Sequence, residues 1–165
     1  MDVESYKSKP LNTKWTIWVH FSQDTSWDLD SYYKIMVVDK VYDVIYICKY
    51  LERLFPNMMV FVMRDDILPI WEHAKNRDGG AYSYKITEEH VVGVWNYLLF
   101  RVIGETLMTD LNSMSLVTGL TISPKKNFYI IKVWMQSCEG NDKIEIHDDF
   151  EEPHDGRIFT AFQVV

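Results

Sequence analysis

The most constraining stretch of the chain is Tyr129-Ile130-Ile131-Lys132-Val133-Trp134-Met135, which alternates with a period of two. In a strand this period puts Tyr129, Ile131, Val133 and Met135 on one face and Ile130, Lys132 and Trp134 on the other. The first face is wholly apolar and demands a covered core. The second sets a tryptophan beside a lysine, which suits a planar anionic ligand better than bulk water. The fold must therefore offer a sheet with one packed face and one that can receive something.

Runs of aromatic and β-branched residues predict further strands over 14–21, 32–38, 58–64, 82–86, 116–122, 143–147 and 158–164, with the opening strand of this type, 129–137, among them. Val41, Val44, Ile45, Cys48 and Leu51 recur at helical spacing, predicting a helix over 39–55 that Asp39 caps and Pro56 stops. A second helix buries Val91, Trp95, Leu98, Leu99, Val102 and Ile103, with Thr87 as its N-cap and Gly104 as its closing glycine. Strand runs broken by two helices predict an α+β fold: a curved, mainly antiparallel sheet with the helices packed on its convex face. A length of 165 residues suits one domain. Residues 1–9 read as a flexible lead-in and 10–165 as the folded unit.

Charge narrows the function classes. A formal net charge of −7 repels polyanions, so contact with nucleic acid must be local and short rather than a coating of long RNA or DNA. Cys48 and Cys138 are too few for a disulfide framework, which favours a reducing compartment. No stretch approaches the ~20 apolar residues of a membrane span, and the N-terminus has no apolar export signal. A soluble, cytoplasmic protein with no membrane association is expected, a nuclear pool being compatible with the same features.

Two tryptophans stand outside any apolar period. Trp27 follows the polar turn 22–26 in a Ser-Trp-Asp context, and Trp71 lies directly before Glu72 in the segment 65–81, opened by Pro69 and closed by Gly79-Gly80. Pro69 lacks a backbone donor and the glycine pair tolerates positive φ, so this segment reads as a loop. A flat ring beside a carboxylate suits a planar group with N–H donors and positive charge. A purine fits that description. The alternative use of both rings is to cap the edge of the core.

These residues, in order, resemble the eukaryotic translation initiation factor 4E family, which binds the 7-methylguanosine cap of messenger RNA. Lys9-Pro10-Leu11 with Trp15 and Trp18 is similar to the family's opening pattern, and Ser26-Trp27 to its first cap-stacking tryptophan. Ile67-Leu68-Pro69-Ile70-Trp71-Glu72, with Lys75-Asn76 and Gly79-Gly80, resembles the cap-loop signature. Trp95, Leu99 and Ile103-Gly104-Glu105 resemble the second helix, and Gly119, Val133-Trp134 and Cys138-Glu139 the late strands. The resemblance implies a non-enzymatic, monomeric cap binder without cofactor or metal, its pocket on the concave face of the sheet. It assigns Trp27 and Trp71 to sandwiching the base, Glu72 to the guanine edge and Trp134 to the N7-methyl group.

Three departures qualify what the resemblance implies. For the phosphates, the family's Arg is Lys125 here, next to Lys126, and its strand Lys falls at Ile130, leaving Lys132 as the replacement on the same face. For partners, Pro10 and Val41 match the surface that receives a helix from a 4G-type scaffold or a repressor. Ile45 there replaces a Trp, and Asn96 and Tyr97 replace a Leu and a Glu; Phe100 lies on the same surface. The third departure is length, because Cys138-Glu139-Gly140-Asn141-Asp142 leads straight into Lys143 where the family inserts a long helix. Capped mRNA is thus the expected ligand, with either a scaffold or a repressor peptide as partner.

Two rival classes follow. A cap-binding competitor or translational repressor would keep the pocket and lose the scaffold. A metal-dependent hydrolase would use His147, Asp148, Asp149, Glu151, Glu152, His154 and Asp155. The second lacks a His pair at i, i+4 flanking a Glu, and such an acid run also suits a solvated loop.

Overall fold

The computed structural model describes residues 5, 7–150 and 157–163. Of the lead-in expected over 1–9, residues 1–4 and 6 lie outside these, while the Lys9 carbonyl accepts from Val41 N–H at 3.0 Å. Strands β1 (Pro10–Phe21), β2 (Tyr32–Lys40), β3 (Met58–Arg64), β4 (Gly80–Ile86), β5 (Val117–Pro124), β6 (Tyr129–Met135) and β7 (Arg157–Ala161) form one antiparallel sheet. Their spatial order is β2-β1-β3-β5-β6-β4-β7. Helices α1 (Val41–Tyr50) and α2 (Val91–Ile103) and the short α3 (Leu111–Ser115) lie among the described residues as well.

Alternation along the strands sorts residues to the two faces. Trp15, Ile17, Val60, Val62, Leu120, Ile122, Ile131 and Val133 share one core with Val44 and Ile47 of α1 and Trp95, Leu98 and Leu99 of α2. Burying such side chains stabilises the fold by about 1.5–3 kcal/mol each. On the opposite face, Phe61, Met63, Ala81 and Trp134 form a separate small cluster. Register across the strands fixes two rows on that face. One runs Trp18, Phe61, Thr121, Lys132, Ser83, Ile158, and its neighbour runs Thr16, Met63, Gly119, Trp134, Ala81, Thr160.

The expected curvature is not found. The fold is α+β, with an antiparallel sheet and packed helices, but the sheet is not strongly curled, so it has no pronounced convex and concave sides. Bulges bend a ladder. Here register shifts occur only between β1 and β2 and between β5 and β6, while the β1/β3, β3/β5, β4/β6 and β4/β7 ladders run without one.

Local differences from expectation have local causes. Asp39 does not cap α1; the Asp43 carboxylate instead accepts from the backbone N–H groups of Asp39 and Lys40 at 3.2 and 3.1 Å. The helix then tightens into a 3-10 turn over Leu51–Leu54. Thr87 does not cap α2, because its hydroxyl is engaged with His90 Nδ1 at 2.9 Å and His90 precedes the first helical residue. Gly104 keeps φ at −77°, and Glu105 takes the left-handed conformation at φ 56°. The strand expected over 143–147 is absent: a 3-10 turn spans Asn141–Lys143, and only an isolated bridge joins Ile146 to Met108. Of the strand expected over 158–164, Val164 lies outside the described residues.

Candidate functional site

The loop between β3 and β4 carries Trp71 and Glu72 and is folded around a buried amide. Asn76 is fully buried and donates through Nδ2 to the carbonyls of Leu68 and Ile70 at 3.1 and 2.8 Å. Gly79 N–H closes the loop on the Asn76 carbonyl at 2.8 Å. Neither glycine of the pair takes positive φ. They are needed for close approach: a Cβ on Gly79 would sit 1.8 Å from the Met135 carbonyl oxygen, and one on Gly80 2.5 Å from that of Thr160. This packing brings the loop onto the ends of β6 and β7 and leaves Trp71 43% exposed.

Trp27 is presented by the loop between β1 and β2 and is 57% exposed. Ser26 N–H donates to Asp24 Oδ1 at 2.9 Å, and the Ser31 hydroxyl bridges the carbonyls of Ser26 and Asp28 at 3.1 and 2.7 Å. Its indole lies parallel to the buried His20 ring.

Trp27 and Trp71 do not touch; five rings join them. His20 meets Tyr32 at 4.9 Å between centroids, Tyr32 meets Phe61 at 5.4 Å, and Phe61 meets Trp134 at 6.2 Å. Trp134 in turn meets Phe162 at 4.9 Å, and Phe162 stacks on Trp71 at 5.5 Å with the planes 15° apart. An arc of aromatic rings thus runs across the open face with a tryptophan displayed at each end. Glu72, exposed, follows Trp71 in the loop at one end of the arc. Burial, and then the charge of Glu72, push the Tyr32 phenol up to about 12.

Lysines border the arc. Lys132 sits half-buried one row from Trp134, flanked in register by Thr121 and Ser83. Burial, and then the neighbouring Lys125, lower its ammonium below the ordinary lysine range. Lys125 and Lys126 stand exposed in the turn between β5 and β6, closed by Lys125 N–H donating to the Phe128 carbonyl at 2.8 Å. A side chain donating three N–H groups next to two hydroxyl-bearing residues can hold an anion.

The expected partner residues lie elsewhere. Pro10 opens β1 opposite Lys40, and Val41 begins α1. Ile45 on α1 and Phe100 on α2 are 57% and 53% exposed, while Asn96 is half-buried. Tyr97 is occupied: its hydroxyl donates to Asp149 Oδ1 at 2.6 Å and its ring meets Phe150 edge-on. Asp148 of the candidate metal cluster accepts from Tyr84 at 2.9 Å and from Arg157 at 2.6 Å. Glu151, Glu152, His154 and Asp155 lie outside the described residues, and among the described ones no group of three metal-ligating side chains converges. No described helix is long and apolar enough to cross a membrane.

Sequence reasoning missed His20, Tyr32, Phe61 and Phe162. His20, Phe61 and Phe162 lie on the open face by strand alternation, so period two selects them, whereas Tyr32 shares the parity of the core residues Met36 and Val38 and reaches the open face only through the register shift between β1 and β2. Their ring contacts, which for Phe162 reach back 91 residues to Trp71, carry no local signal.

An α+β domain whose open sheet face carries an aromatic arc with lysines nearby has the form of a small binding module. The sequence profile described as Eukaryotic initiation factor 4E matches residues 10–153, and the chain belongs to that family. The family is non-catalytic, and its function is cap binding in translation initiation. The chain is 27% identical to translation initiation factor 4E-2 of Schizosaccharomyces pombe over 145 residues, covering 84% of this chain and 58% of that protein. To factor 4E of Candida glabrata it is 27% identical over 146 residues, covering 84% and 68%. It therefore spans well under the full length of these relatives. Among solved structures, the fold matches factor 4E-3 of Ascaris suum with an m2,2,7G cap at TM-score 0.71 and 19% identity, covering 81% and 77%. A schistosome factor 4E complexed with m7GpppA and 4E-BP matches at TM-score 0.72 and 21% identity, covering 81% and 75%.

Proposed function

We propose that the chain binds the 7-methylguanosine cap of messenger RNA and acts in cytoplasmic translation initiation. The observation that carries this reading is the arc of rings ending in Trp27 and Trp71, with Glu72 directly following Trp71 in the loop. Methylation at N7 spreads positive charge over guanine, so the two indoles gain cation–π attraction beyond stacking worth about 1–3 kcal/mol per base. Glu72 accepts from guanine N1–H and the N2 amino group, a charge-assisted pair that adenine cannot offer, and the backbone N–H of Trp71 reaches O6. Trp134 lies against the methyl group. Lys132, with Lys125 and Lys126, holds the phosphates in place of the family's arginine and lysine.

A tryptophan-fluorescence titration with 7-methyl-GTP against GTP tests this, repeated on Trp71→Ala and Glu72→Ala. Selective quenching by the methylated nucleotide, lost in both variants, is expected. Equal behaviour of the two nucleotides would overturn the reading.

The capture of Tyr97 by Asp149 and Phe150 favours a second role for the same pocket, that of a competitor or repressor. Relatives are seen with peptide partners, 4E-BP on the schistosome protein and Mextli on a Caenorhabditis elegans one. Here Ile45 stands where a tryptophan hot spot is expected and Tyr97 is already engaged, so helix docking through Pro10, Val41, Ile45, Asn96 and Phe100 is weakened. Capture of a scaffold-type helical peptide at micromolar concentration assigns the initiation role, and its failure assigns the competitor.

A further inference from the structure

The geometry points to Phe162 as an internal occupant of the base site, a ring that a cap must displace from Trp71 and that thereby sets the affinity threshold of the pocket. The inference rests on the cap-binding reading of Trp71. Phe162 follows the end of β7, where Gly80 pairs with Ala161, and its N–H donates to the Gly79 carbonyl at 2.9 Å. That bond ties it to the loop bearing Trp71. Its ring stacks on Trp71, 5.5 Å between centroids with planes 15° apart, and leans on Trp134 at 4.9 Å and 56°. Parallel on Trp71 and tilted on Trp134 is the pair of contacts the proposed reading gives to the methylated base.

The mimicry is partial, which makes it displaceable. Benzene carries no N–H edge for Glu72 and no positive charge for the indoles, so a methylated guanine outcompetes it on both counts. Attachment is also light. β7 is an edge strand of five residues, of which Arg157, Ile158, Thr160 and Ala161 are exposed. An occupant that must leave reduces every ligand's apparent affinity by the same factor, the fraction of molecules with the site open. Weakly stacking bases then fall below useful affinity while the cap does not.

The test is calorimetric titration of the full chain and of Phe162→Ala with 7-methyl-GTP and with GTP. Removing a stacked ring is expected to tighten both ligands by the same factor, about 2- to 10-fold, leaving their ratio unchanged. Weaker or unchanged binding of 7-methyl-GTP to Phe162→Ala overturns the proposal, since the ring would then be a wall of the pocket or a bystander. Should neither protein bind 7-methyl-GTP, the cap-binding reading fails and takes the proposal with it. A second measurement uses the wild-type chain: nuclear Overhauser contacts between the Phe162 and Trp71 rings should disappear at saturating 7-methyl-GTP. Their persistence in the complex overturns the displacement.

Discussion

The indole of Trp27 lies on the imidazole of His20 with ring centroids 4.5 Å apart and planes within 3°. His20 is fully buried and is fixed by its Nε2, 2.7 Å from the Ser26 carbonyl oxygen, so the exposed ring rests on a rigid one. One face of Trp27 is thereby taken by the protein, and a base can use only the other.

A pair of substitutions isolates this support. Stacked aromatic pairs are worth about 0.5–1.5 kcal/mol beyond area burial, so His20→Ala should weaken 7-methyl-GTP by about 2- to 10-fold. His20→Phe keeps a ring beneath Trp27, and the Ser26 carbonyl still accepts from Ser31, so binding should stay near wild type. Calorimetric titration of both variants decides. Equal losses would mean that His20 acts through the fold and not through the stack.

The Arg64–Glu105 pair gives a stability prediction with a pH signature. Its atoms are 2.7 Å apart, with the side chains only 12% and 19% exposed, and Arg64 also donates to the carbonyls of Val117 and Met114. Burial works to raise the Glu105 carboxyl, but hydrogen bonds from Arg64, Asn12 and Thr13 outweigh it and hold the group below its ordinary range. A lowered folded value contributes stability above the unfolded pKa of about 4.3 and loses it as pH falls through the folded value. Glu105→Gln should therefore cost about 2–3 kcal/mol at pH 7. Urea melts of both proteins at pH 7 and near pH 3 should show the gap closing in acid. A gap independent of pH would refute the ion pair as its source.

What could be read from the sequence was what period and composition encode. Alternation over 129–135 put Trp134 and Lys132 on one face and the core residues on the other, and the structure keeps that division because the packed face has no substitute for burial. The same alternation in Ile144 and Ile146 misled, since a strand also needs a partner and among the described residues the bridge there is the isolated one to Met108. Gly79 was legible as a special position but not for its reason: proximity to the Met135 carbonyl depends on where β6 ends, whereas positive φ is a local property. Sheet curvature depends on bulge placement, and alternation does not announce it. The ring that rests on Trp71 comes from 91 positions further along the chain, and only the β4/β7 pairing brings it there.

Lys132 offers the sharpest chemical test of the phosphate side of the pocket. Thr121 and Ser83 flank it in register, and the Thr121 hydroxyl is buried without a hydrogen-bond partner among the described residues. Burial, and then Lys125, disfavour the charged amine, so it loses its proton at lower pH than the ~10.4 of an ordinary lysine. Nucleotide phosphates would favour the charged form. As pH rises towards that range, 7-methyl-GTP should lose its affinity advantage over 7-methylguanosine, which shares the base and lacks the phosphates. Taking the difference between the two ligands cancels any titration of the base itself. Lys132→Met should remove much of the advantage at neutral pH and lower the salt slope of 7-methyl-GTP binding by about 1, since one fewer charge contact is made. If Lys132→Met instead leaves the salt slope untouched while Lys125→Met lowers it, the phosphates are held at the β5–β6 turn and the strand lysine serves the sheet.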